Sequence, residues 1–184
     1  GLRVQPPAAG PPVAAKVPGA TEKTLANGLR VIVATKPGLP LVSASLRLSA
    51  GSALDPKDKA GLATMTANLA TRGTETRSAT EISRQIESLG ASLNASAGAD
   101  ATDVSVSARS DNAKDVLAIM ADVVQNPAFA AEELDRAKQE TLDGLMVSLR
   151  QPRAIGSFAM NRALYGDGPY GGTPSPKSIG ALAQ

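Results

Sequence analysis

From Leu41 to Ser49 the chain alternates without a break, Val42, Ala44, Leu46 and Leu48 against Ser43, Ser45, Arg47 and Ser49. A period of two is the signature of a strand with one face in a core. The alternation returns in "TDVSVSAR" with Val104, Val106 and Ala108, preceded by another short strand in "ASLNASAG". Upstream, "EKTLANGLRVIVATK" reads as a β-hairpin in which Leu29, Val31 and Val33 alternate. Asn27-Gly28 there is the residue pair of a type I′ turn.

Helical spacing takes over elsewhere. "AGLATMTANLATRGT", Ala60 to Thr74, puts Leu62, Met65 and Leu69 on one face, with Gly73 just past its end. Ser78 and Glu81 form a capping box ahead of Ile82, Ile86 and Leu89, and Gly90 ends that helix. Asp111 is placed to cap a helix carrying Val116, Leu117, Met120, Val123 and Val124, which stops before Pro127. A long helix from Ala130 to about Arg150 carries Leu134, Ala137, Thr141, Leu145 and Leu149. Another follows Pro152 to roughly Leu164; "YGDGPYGG" is a loop, and "SPKSIGALAQ" begins a last helix. Strands in blocks followed by helices in blocks predict an α+β fold, an antiparallel or mixed sheet packed against a layer of helices. Residues 1–20 are Pro/Ala-rich and read as an extended arm, leaving residues 21–184 as the folded domain.

Composition narrows the chemistry. Among 184 residues there is no Cys and no His. That removes disulfides, thiolate nucleophiles, Ser-His-Asp triads and His-ligated zinc. A net charge of +2 and 2% aromatic residues give no nucleic-acid footprint. No apolar run approaches the roughly 20 residues that span a bilayer. The remaining motifs are weak. "GDGPYGG" lacks the Lys-Ser/Thr of a phosphate loop and does not follow a strand. "DPKDKAG" fails calcium-loop spacing and reads as a solvated turn that caps a helix, and "EELDRAKQE" as an exposed helix face.

Five segments in order resemble the N-terminal half-domain of the pitrilysin/insulinase family of zinc peptidases, to which the mitochondrial processing peptidases belong. They are "TLANGLRVIVATKPGLPLVSASLRLSAGS", "DPKDKAGLATMTANLATRGT", "SATEISRQIESLGASLNASAGADATDVSVSARSDNAKDVLAIMADVVQNPAF", "ELDRAKQETLDGL" and "ALYGDGPYGGTPSPKSIGAL". Active members carry H-x-x-E-H on the helix entered through "GLA": two His hold zinc and the Glu serves as base. Here those positions are Thr64, Ala67 and Asn68. A third ligand, a Glu, falls in "KQETLDGL", where the nearest matches are Asp143 and Gly144. The resemblance thus implies no catalytic, cofactor-binding or metal residue in this chain, and no cofactor.

What the resemblance implies is an inactive subunit, represented by its N-terminal half, that pairs with a zinc-bearing family member to close a peptide-degrading chamber. The substrate-gripping Arg and Tyr of the family belong to the C-terminal half, so neither Arg153 nor Tyr170 takes that role. A half-domain without its second half predicts an exposed apolar face and self-association. The alternatives are a non-proteolytic scaffold in a larger assembly that shares the fold, like the core subunits of respiratory complexes, and an unrelated binding domain. The Pro/Ala arm, similar to the stretch after a cleaved signal, and the lack of Cys suggest the periplasm.

Overall fold

The computed structural model describes residues 19–182, and the arm expected over residues 1–20 lies almost wholly outside them. The chain divides into two compact units between Leu39 and Pro40. In the first, β1 (Ala20–Thr24) and β2 (Arg30–Ala34) pair antiparallel with Ala20 opposite Ala34 and Thr24 opposite Arg30. The turn differs from the type I′ expectation. Only Gly28 has a positive φ, at 85°, and Asn27 does not. The Gly28 N–H instead donates to the Leu25 carbonyl and the Leu25 N–H to that of Leu29, at 2.9 and 2.8 Å. The result is a three-residue loop closed by a left-handed glycine. Asn27 turns its side-chain oxygen to the Leu29 N–H, 3.1 Å away.

The second unit is built on β3 (Leu41–Leu48), β4 (Ser92–Ala97) and β5 (Thr102–Arg109), in the order β3-β5-β4 and all antiparallel. Register follows from alternation: Ala44, Val106 and Leu93 share one row, and Leu46, Val104 and Ala95 the next. Shifting a strand by one residue would turn the whole apolar set outward. The opposite face is polar, with Arg47 in a bidentate pair to Asp103 at 2.9 Å and Ser43 bonded to Ser107 at 3.0 Å.

Among the described residues six α-helices follow the pattern: α1 (Leu62–Ala70), α2 (Ala79–Ser88), α3 (Ala113–Gln125), α4 (Ala131–Ser148), α5 (Pro152–Tyr165) and α6 (Pro176–Gly180). Val104, Val106 and Ala108 pack against Val116 and Met120 of α3. Ile82 and Ile86 of α2 pack with Ile119 and Val123 of α3. A separate core joins Met65 and Leu69 of α1, Leu134 and Ala137 of α4, and Ile179 of α6. On α3 the expected apolar face is displaced by part of a turn: Ile119 is buried and Leu117 is exposed.

The Ser78–Glu81 capping box is present as expected, whereas Asp111 does not cap α3. Its carboxylate is held by Arg109 at 3.0 Å, and Asn112 occupies the cap position. Asn112 uses its side-chain amide to reach the Leu89 carbonyl at the end of α2, 2.8 Å away.

Past α1, the turn through Gly73–Ser78 is tied to α3. Arg77 pairs with Asp122, whose other oxygen accepts from the Asn126 amide at 3.0 Å. The Asn126 hydrogen bond first, then Thr74 and Arg77, hold the Asp122 carboxyl below the usual carboxylate range. A depressed folded-state pKa means that the unfolded chain binds the proton more readily. The stabilisation is therefore complete above the ordinary Asp value of about 4 and is lost as pH falls below it through the folded-state value. Urea unfolding at pH 7, 5, 4 and 3 will show a steeper acid loss for the native sequence than for Asp122→Asn. Parallel losses in the two would assign the effect to other carboxylates.

Candidate functional site

The loop ahead of α1 places that helix. Gly61 enters it with φ at 102°, a left-handed conformation that suits glycine. Asp55 accepts from the Gly61 and Ala63 N–H groups, both at 2.9 Å, and so caps the helix from six and eight residues upstream. This is the capping role expected of "DPKDKAG". A carboxylate at this end also matches the helix dipole.

Thr64 is exposed on α1 and lines a cleft of about 740 Å³. One wall of the cleft is the loop bearing Ser52 and Lys57, and the other is α5 with the glycine-rich loop after it. Ala67, one helical step away, is 3% exposed and faces an apolar pocket of about 340 Å³ between Leu48, Val104 and Phe129. Asn68 is half-buried, and its side-chain oxygen accepts from the Arg72 guanidinium at 2.9 Å. Arg72 continues to Glu140 of α4 at 2.6 Å and lies 3.9 Å from Glu133. The Glu140 hydrogen bond keeps Arg72 firmly charged, and Arg72 in turn lowers the Glu140 pKa.

Asp143 is exposed and accepts from Gln139 on its own helix at 3.0 Å; Gly144 has no side chain. The three α1 positions therefore offer a hydroxyl, a methyl group and an amide already engaged by an arginine. This donor set does not fit zinc, which needs imidazole, thiolate or converging carboxylates. No group of three or more potential ligating His, Cys, Asp or Glu side chains occurs among the described residues.

The face of α4 read from sequence as solvated is partly an interface. Glu133 is 18% exposed, pairs with Arg136 at 2.7 Å and faces Arg72. The i, i+4 spacing of Asn68 and Arg72 was the one local signal for this cluster. Its α4 partners lie far along the chain. Arg153 stands exposed on α5, and Tyr170 donates to Asp100 at 2.7 Å.

Known proteins share the sequence pattern and the fold. The sequence pattern of the family described as insulinase, peptidase family M16, matches residues 30–171. A Rickettsia bellii protein described as an uncharacterized zinc protease is 31% identical over 147 residues, 80% of this chain and 36% of that protein. Mouse mitochondrial-processing peptidase subunit beta is 31% identical over 138 residues, 75% of this chain and 28% of the subunit. Among solved structures, an M16 peptidase inactive domain from Pseudomonas fluorescens superposes with a TM-score of 0.82 at 28% identity. That alignment covers 89% of this chain and 40% of the other. The chain thus spans 36% and 28% of the lengths of these two curated relatives.

Proposed function

Since this chain belongs to the insulinase family of peptidases, M16, we propose that it serves as a catalytically silent part of a peptidase assembly and pairs with a zinc-bearing family member. One observation carries the reading. The α1 positions that hold zinc and base in active members are Thr64, a buried Ala67, and an Asn68 committed to Arg72. No side chain there can activate water or polarise a carbonyl. What this chain contributes is surface. The cleft beside Thr64 has room for a stretch of extended peptide, and holding a peptide in place lowers the entropic part of a reaction barrier even when the reacting groups belong to a partner.

The inactive-domain description of the Pseudomonas fluorescens relative and the subunit status of the mouse relative support this reading. So does the run of exposed apolar side chains at the end of α4 and along α5: Met146, Val147, Ile155, Met160 and Leu164. Such side chains are what a partner surface covers, and without one they favour self-association.

Full-length chain and candidate partner, expressed separately and together, test the proposal through peptide cleavage and zinc content. The expected result is no cleavage and no stoichiometric zinc for this chain alone, with both present in the pair. Stoichiometric zinc or cleavage by this chain alone would overturn it.

A further inference from the structure

The two walls of the cleft beside Thr64 are held in unequal ways. The wall through Ser52 and Ala53 is fixed by backbone bonds to the β4–β5 turn: Ser52 N–H to Gly98 carbonyl and Ala53 N–H to Ala99 carbonyl, both 2.9 Å. Gly51 is buried against the same turn. The opposite wall is α5 and the loop after it. No residue of α5 is buried, although the helix carries Ile155, Phe158, Met160 and Leu164.

The loop is closed on itself and on the end of α5 by its own bonds. Gly171 N–H bonds to the Gly168 carbonyl at 3.0 Å, Arg162 binds the Gly166 carbonyl at 3.0 Å and pairs with Asp167, and the Tyr165 and Tyr170 rings lie 5.7 Å apart. Its far end is anchored at α6, where the Ser178 hydroxyl donates to the Ala60 carbonyl at 2.9 Å and Ile179 is fully buried. Between these ends a side-chain bond reaches back to the fixed wall's own turn: Tyr170 hydroxyl to Asp100 carboxylate, 2.7 Å.

We propose that α5 and the loop through Thr173 form a hinged flap over the cleft, and that the Tyr170–Asp100 bond is its latch. The hinges are the α4–α5 junction at Arg150–Gln151 and the Pro174 entry to α6. A flap of this kind needs a body closed by its own bonds, few buried contacts and one breakable tie, and this segment has all three. With the latch made, the turn at residues 98–101 bridges both walls. With it broken, the flap swings on its hinges and the cleft beside Thr64 widens. The flap describes the chain before any partner surface covers α5. It is read by exchange on this chain alone, so its failure is distinguishable from a failure of the pairing read by zinc and cleavage.

Backbone hydrogen exchange, read by mass spectrometry on the full-length chain, tests the latch. Tyr170→Phe keeps the ring and removes only the donor. It is expected to speed exchange across residues 152–172 by about tenfold, the change in an opening equilibrium made by a hydrogen bond to a charged acceptor at the low end of its range, since both partners are exposed. Exchange in α1 and β3–β5 stays unchanged. Asp100→Ala should reproduce the effect, and the double variant should add nothing to either single one. Unchanged exchange over residues 152–172, acceleration shared equally by α1 and the sheet, or additive effects of the two substitutions would each overturn the proposal.

Discussion

Replacing Gly51 with Ala is expected to cost about 3 kcal/mol of folding stability, near the top of the range for overpacking by a single methyl. The backbone there is ordinary, with φ at −144° and ψ at −168°, so the cost is not conformational. It is steric. A Cβ at Gly51 would lie 2.5 Å from the Ala99 and Gly98 carbonyl oxygens and 2.7 Å from the Ala101 nitrogen. All three are backbone atoms and cannot rotate away. Relief requires separating the loop from the β4–β5 turn, which also breaks the Ser52 and Ala53 backbone bonds. Gly144 provides the contrast. It lies in α4 with nothing within 4 Å of an added Cβ, so Gly144→Ala should gain about 0.5–1 kcal/mol from helix propensity alone. Urea denaturation of both variants checks the pair; a Gly51→Ala loss below 1 kcal/mol would show that the loop yields.

Ile179→Ala is expected to lose about 3 kcal/mol, the middle of the range for truncating a buried aliphatic side chain. Ile179 is 0% exposed and joins α6 to Met65 and Leu69 of α1 and to Leu134 and Ala137 of α4. Its Cδ1 sits 2.9 Å from where a Cβ on Gly61 would be, so the start of α1 and the side chain of α6 are fitted to one another. Loss of that contact should also free the α6 anchor. Leu164→Ala on α5 is the control. That side chain is 67% exposed, and its removal should change stability by less than about 0.5 kcal/mol. Equal effects of the two substitutions in denaturant titrations would refute the assignment of α6 to the core and α5 to the surface.

How far each feature could be read in the chain depended on how local its cause is. Strands β3 and β5 were legible because alternation encodes which face is buried, and burial of Val104, Val106 and Ala108 is what selects the register. The Ser78–Glu81 box was legible because both partners lie within one helical turn. Three readings failed where two local solutions compete. Asn27-Gly28 supports either of two hairpin loops, Asp111 has Arg109 as a partner two residues away, and Leu117 and Ile119 both satisfy a helical repeat until packing against Ile82 and Ile86 of α2 decides which is covered.

The sequence by itself determined that this chain lacks imidazole and thiol and that α1 bears Thr64, Ala67 and Asn68, because residue identity needs no fold. It determined the order of elements as well, because periodicity and caps are short-range. Only the tertiary structure decided that Asn68 is held through Arg72 to Glu140, 68 residues beyond that arginine. Only there does Tyr170 meet Asp100, 70 residues away, and Ser178 meet Ala60, 118 residues away. A polar side chain leaves the same local pattern whether it faces water or a distant partner. Hydrophobic spacing records which face is buried; the identity of a polar partner is settled when the helices and loops pack.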